Sequence, residues 1–447
     1  MFKKESFNNL LFKRIDNAPL VVFRIIFGIL IFLESVGAIF TGWIKRTLIE
    51  PEFTFSFIGF EWLQPLPGNG MYFYYAIMGI FGLLVMLGYR YKFSMAMFTL
   101  MWTATYLMQK ASYNNHYYLL IIICLVMLIL PANRYASLDV KRKPEIKSLS
   151  MPAWCTLIII LQLWIVYTYA SVAKIYPDWL DTTVAEHLMK GRRDYPLIGD
   201  FLQLKWVHHA ITYFGIAFDL LIVPLLLWKP SRKIAFGASI FFHLFNSIVF
   251  QIGIFPYLSL AFTLFFFDPD HMRRLFLKKK PPITETGTYP VPKGKNIFIG
   301  LAIVYFIIQI ALPLRHWFIK DDVLWTEEGH RMSWRMMLRS KSGYMSFRVV
   351  DKNSGKVEII DPKKVLSRKQ ARMIGAKPDV IWQFAQRLKK QYAASGKEVA
   401  VYARGKVKVN GEPYETLIDP KVDLAAEKWS PFKHHEWILP SKKDKSD

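Results

Sequence analysis

Apolar residues form long unbroken runs over the first two thirds of the chain and short alternating runs after them. The long runs cover 18–40, 71–89, 91–109, 114–131, 151–174, 206–228, 233–252, 255–268 and 296–313. Most are about 20 residues, the length an α-helix needs to cross a bilayer. The stretch 233–268 is too long for one helix, and Gly253 with Pro256 divides it. The pattern predicts a polytopic α-helical membrane protein with nine spans.

The period changes past residue 316. "SFRVVDKNSGKVEIID" alternates and turns at Asn353–Gly355, which reads as a hairpin. "VKVNGEPYETLI" reads as a second hairpin, turning at Asn410–Gly411. Between them, 367–394 has helical spacing. The expected division is a membrane domain over 1–316 and a small extracytoplasmic α+β domain over 317–447. The final "SKKDKSD" is a short polar tail, and no internal repeat is visible.

Charge adds orientation. Lys and Arg number 58 against 34 Asp and Glu, a net +24. In a soluble protein that balance would point to nucleic acid. With a mean hydropathy of +0.21, basic loops beside an anionic membrane explain it, so the expected partner is the lipid bilayer and no nucleic acid. Lys3, Lys4, Lys13 and Arg14 precede the first span. Arg134, Lys141, Arg142, Lys143 and Lys147 follow the fourth; Lys229, Arg232 and Lys233 follow the sixth. Arg273, Arg274, Lys278, Lys279 and Lys280 follow the eighth. Nine spans put all of these on one side, taken as the cytoplasm, and leave 317–447 on the other. The first span contains Arg24 and Glu34 and is too long for a signal-peptide core, so it reads as uncleaved. Two cysteines, Cys124 and Cys155, both in apolar runs, indicate neither a disulfide framework nor a Cys-based metal site.

Ionisable residues are costly in a bilayer and are candidate functional groups. Lys174 ends the fifth span in "YTYASVAKIYPDW". His116 opens the fourth after Asn114 and Asn115. His208 and His209 open the sixth, His243 lies in the seventh, and Glu34 is near the outer end of the first. All fall towards the outer face. Each has a plainer reading: a terminal lysine commonly snorkels to the interface, and interfacial histidines are commonly just hydrogen-bonded. Arg24 and Asp219 lie at similar depths, about 9 Å and about 13 Å from the opposite face at the helical rise, and are expected to form a structural ion pair. A desolvated lysine loses its charge more readily and could take a proton from a lipophilic weak acid such as a quinol. Nearby histidines could pass protons. Glycine-rich phosphate loops, HExxH, nucleophile elbows and CxxCH are not found.

Several stretches carry a resemblance to a known family: "NNHYYL", "ANRYASLDV", "ASVAKIYPDWL", "FFHLFNSIVFQIGIFPY", "LWTEEGHRMSWRMMLRSKSG" and "LIDPKVDLAAEKWSPFKHHEW". The chain resembles the vitamin K-dependent gamma-glutamyl carboxylases, whose membrane part is of the horizontally transferred transmembrane type. The resemblance implies a lysine base that deprotonates vitamin K hydroquinone and addition of O2 to give a strongly basic oxygenated quinone. A peptidyl glutamate then loses a γ-proton and captures CO2, and the epoxide is released. It places Lys174 at the lysine base, His116 with Asn115 at a catalytic histidine, and His243 at a polar position lining the membrane site. It places Trp334, Met336, Met337 and Arg339 in a glutamate-binding stretch and implies no metal. Arg335, Leu338 and Gly343 depart from the polar residues of the animal enzymes, and the chain stops earlier than theirs, within the region available for a substrate's propeptide. Quinol oxygenation without carboxylation therefore stays open, as does a non-enzymatic membrane scaffold. The short basic loops suggest a bacterial inner membrane and a menaquinol-type quinol.

Overall fold

The computed structural model describes residues 4–441. Lys3 and the end of the polar tail, 442–447, lie outside them. Nine apolar helices correspond to the nine expected runs: α1 (Ala18–Phe40), α2 (Gly70–Leu87), α3 (Tyr91–Met108), α4 (Asn115–Ile129), α5 (Trp154–Val172), α6 (Lys205–Leu227), α7 (Arg232–Phe250), α8 (Phe255–Phe262) and α9 (Lys295–Leu314). Among the described residues, α1, α2, α5, α6, α7 and α9 are long and apolar enough to cross a membrane. α4 and α8 are shorter, and α3 is diluted by polar residues. The break before α8 falls where expected. Gln251 and Gly253 have φ of 53° and 66°, and Pro256 stands in the first turn of α8.

α1 and α2 pack most closely, and glycine is the reason. A Cβ on Gly28 would lie 2.4 Å from the Met86 backbone nitrogen, and one on Gly82 would lie 2.9 Å from that of Phe32. Small residues at such crossings let two membrane helices approach at backbone distance.

The two ends of the bundle are distinct. At one end β1 (Arg14–Asp16) pairs antiparallel with β2 (Ser150–Pro152), Ile15 opposite Met151. There Asp16 binds Arg273 and, at 2.7 Å, Lys280. The basic loops expected on one side do share this end. At the other end sits the α+β domain. Its sheet has the order β4-β3-β5-β6, from β3 (Lys341–Asp351), β4 (Val357–Ile360), β5 (Val399–Val409) and β6 (Glu415–Thr416). Both expected hairpins form, with Gly355 at φ 68° and Asn410–Gly411 at 49° and 88°. The predicted helix over 367–394 is two: α10 (Arg368–Ile374) and α11 (Pro378–Ala394), parted before Pro378. Proline fits the first turn of a helix but not its interior. α11 covers the sheet, with Phe384 and Phe347 rings 4.9 Å apart.

The expected Arg24–Asp219 ion pair does not form. Arg24 donates to the Ala136 carbonyl at 2.6 Å, and Asp219 binds Lys174. Counting along a helix gives height but not direction around the axis. α5 and α6 run antiparallel with the Ser171 hydroxyl on the Ile216 carbonyl at 3.0 Å. This crossing turns Asp219 towards α5 rather than α1.

Candidate active site at the junction of the two domains

The segment 330–339 leaves the α+β domain and lies against the ends of α4 and α5 nearest that domain. Asn115 anchors it, donating from Nδ2 to the Arg335 carbonyl at 3.0 Å while accepting from the Tyr113 hydroxyl at 2.8 Å. That hydroxyl in turn accepts from the Met332 amide at 2.6 Å. Trp334 is 1% exposed and stacks on Tyr118 with ring centres 5.1 Å apart. The Tyr176 hydroxyl donates to the Leu338 carbonyl. Met332, Trp334 and Met337 have φ of 56°, 57° and 53°. Non-glycine residues hold such angles only where their surroundings fix them.

This docking encloses a cavity of about 690 Å³ walled by both domains. The membrane side offers Glu34, Asn115, His116 and the rings of Trp43, Tyr75, Trp102 and Tyr117; the other side offers His330, Arg335, Met336, Met337 and Lys377. Glu34 accepts from the Tyr117 hydroxyl at 2.9 Å. The His116 ring stacks on Phe255 at 3.9 Å between centres. His243 meets the other ring contact of Phe255 at 6.2 Å, and its Nε2 is 3.0 Å from the Tyr167 hydroxyl.

Lys174 is 8% exposed. It does not snorkel; its Nζ turns inward onto Asp219, and Trp179 lies 5.8 Å away. Lys174 and His243 stand outside the wall of the cavity that Asn115 and His116 line. Ring contacts run from Tyr167 and Phe218 through His243 and Phe255 to His116. His208 and His209 are satisfied locally, by the Leu202 and Lys205 carbonyls at 2.9 Å each.

Behind the cavity the α+β domain holds a dense ionic cluster. Arg339 binds Glu327 and reaches His330 at 3.2 Å, and Lys341 is 3.5 Å from Glu327. Burial pushes the Glu327 carboxyl up, but Arg339 and Lys341 outweigh it and hold it well below the usual range. Burial and the Arg339 charge keep His330 well below an ordinary histidine. Burial brings the Lys377 ammonium down to about 8 and the Arg335 guanidinium to about 10. Arg339 thus braces the cluster, whereas Arg335 and Lys377 face the cavity. Gly343 has no room for a side chain, since a Cβ there would sit 2.2 Å from the Gly375 carbonyl.

Sequence reasoning had noted Glu34 but missed Tyr117, Lys377, His330 and the role of Asp219. Lys377 stands in "GAKPDV", a loop with no periodic signal. Among the described residues, no group of three or more His, Cys, Asp or Glu side chains could hold a metal ion.

Comparison with known families matches both the helical bundle and the α+β domain. The family model described as HTTM domain matches residues 12–271, more than half of the chain, and the chain belongs to that class of membrane protein. The model described as vitamin K-dependent gamma-carboxylase, lumenal domain, matches 294–444. Together they make the chain a member of the vitamin K-dependent gamma-carboxylase family. No solved structure matches it.

Proposed function

We propose that the protein couples oxygenation of a quinol to γ-carboxylation of a glutamate in a peptide. The observation that carries this reading is the shared cavity: aromatic and lipophilic on the membrane side, cationic on the side of the α+β domain. A quinol ring and a peptidyl carboxylate have those two demands. The volume is within the common range for small-molecule sites, so the residues fit a vitamin K or menaquinol-type ring. When bound, the quinol supplies with O2 the base strong enough for a γ-proton. Trp43, Trp102 and Tyr117 would hold its ring, and Glu34 and His116 its oxygens. Arg335 and Lys377 would hold the glutamate carboxylate before CO2 is captured. Met336 and Met337 line the space between, while Trp334 and Arg339 keep the segment in place.

Lys174 does not line the cavity, so in this reading it acts as the terminal base, taking the quinol proton by way of His116. Its Nζ is hydrogen-bonded to Asp219 Oδ2, so its proton has an acceptor at hand. His243 and Tyr167 order the wall between that amine and His116. The proposed division falls near residue 316, and the common end of the basic loops supports a cytoplasmic N-terminus with the α+β domain extracytoplasmic in a bacterial inner membrane.

The test is purified protein with vitamin K hydroquinone, O2, labelled bicarbonate and a glutamate-containing peptide, reading epoxide and fixed label separately. Both products, each lost in His116→Ala, are expected. Epoxide without label across a range of peptides would replace this reading by quinol oxygenation alone. Neither product from folded, quinol-bound protein would leave a scaffold.

A pH dependence follows from Lys377. Its ammonium is charged below about 8, so a bound carboxylate loses a partner as pH rises through that value. KM for the peptide should climb above pH 8 at fixed quinol, and Lys377→Arg should flatten that limb, because guanidinium stays charged. An unchanged limb in the arginine variant would exclude Lys377 as the carboxylate partner.

A further inference from the structure

At the end of the bundle away from the α+β domain, a second cavity of about 790 Å³ opens between the end of α2, the 135–141 segment and the 275–280 segment. Five lysines line it, Lys141, Lys147, Lys278, Lys279 and Lys280, and among the described residues no carboxylate does. Lys280 is committed, 2.7 Å from Asp16 and 3.0 Å from the Leu149 carbonyl. The other four are exposed, and among the described residues none of them is in an ion pair. Apart from Tyr135 and Ser137 the rest of the wall is apolar, with Met86, Leu87, Leu275 and Phe276 among it. Leu275 and Phe276 are 67% and 54% exposed. Behind the wall, Arg24 is fully buried with its Nε and one terminal nitrogen unpartnered, while the other donates to Ala136, a cavity residue.

Topology alone asks only for positive charge somewhere on this face. It does not ask that four lysines free of ion pairs, one of them with its ammonium over the Tyr135 ring at 6.0 Å, line one cavity next to side chains that suit hydrocarbon. Basic pockets between helices at a membrane surface recognise anionic headgroups, and each lysine near such a surface strengthens binding about fivefold. We propose that this cavity binds the phosphate-bearing headgroup of an anionic phospholipid from the adjoining leaflet. The lysines take the phosphate, and the acyl chains lie on Leu87, Leu275 and Phe276.

The shared chemistry is a phosphate, so the test separates lipid from free anion. The full chain is purified in detergent, and phosphatidylglycerol and phosphatidylcholine are offered together. Bound lipid is read by native mass spectrometry. Retention of phosphatidylglycerol over phosphatidylcholine is expected, weakened about tenfold or more in Lys141→Gln/Lys279→Gln, whose exposed side chains carry no fold contact. Lys229→Gln/Lys233→Gln removes the same charge from the same end outside the cavity and should leave binding unchanged. Equal loss in both variants would reduce the effect to diffuse charge and overturn the site. Inorganic phosphate at millimolar excess should not displace the lipid. If it does, and raises the melting temperature as much as the lipid, the ligand is a free anion and the lipid proposal fails.

Discussion

Asp379→Ala is expected to destabilise the protein by about 3–5 kcal/mol, the cost of leaving buried charges without their partner. Asp379 is 4% exposed and takes Arg331 at 2.6 and 3.2 Å and Lys110 at 2.6 Å. Lys110 belongs to the turn between α3 and α4; Arg331 and Asp379 belong to the other domain. The triad therefore fastens the α+β domain to the membrane bundle at the root of the 330–339 segment. Burial raises the Asp379 carboxyl, but Arg331 and Lys110 prevail and hold it below the ordinary carboxylate range. A carboxyl depressed on folding stabilises the fold fully above its unfolded value near 3.9 and loses that contribution as pH falls through the folded value. Acid should accordingly loosen the junction only below about pH 4. Thermal unfolding and limited proteolysis near the junction read both effects. Lys110→Met should cost less than Asp379→Ala, since Arg331 keeps its carboxylate. A loss under about 1 kcal/mol in Asp379→Ala would show that the junction rests on Trp334 and its apolar neighbours instead.

The sequence disclosed the bundle because hydrophobic period and length report a helix directly, and it disclosed the two hairpins because Gly355 and Asn410–Gly411 stand where the turns need positive φ. It disclosed Lys174, His116 and His243 because charge and imidazole are conspicuous in apolar runs. The same signal misled at Asp219. An intramembrane carboxylate announces that it has a partner, but not which one, since rotation about the helix axis is set by packing that no single helix encodes. Lys377 and His330 were silent for a different reason. They lie in irregular loops whose path is fixed only when the α+β domain meets the bundle, and in a protein of mixed charge a loop lysine carries no signal. The split of α10 from α11 was legible, by contrast, in Pro378, had local proline chemistry been weighed above the long period.

Lys174 and Asp219 raise a harder question, because a buried ion pair can be structural, catalytic or both. Lys174→Ala and Asp219→Asn should each lower stability, by up to about 3–5 kcal/mol where an unpaired charge is left buried. A loss of turnover in either would thus be ambiguous. The double variant Lys174→Met/Asp219→Leu resolves this. Replacing both members of a buried pair by apolar groups of similar size is often neutral or stabilising, so its melting temperature should return towards that of the parent. Turnover should not return. A positioned base contributes about 10²- to 10⁴-fold, and neither methionine nor leucine can accept a proton. Epoxide formation should stay down by that factor while quinol binding persists, because Lys174 lies outside the aromatic cavity. Recovery of epoxide formation along with stability would make the pair a structural bolt and move the base to the cavity itself, where Glu34, hydrogen-bonded to Tyr117 at 2.9 Å, is the carboxylate that lines it.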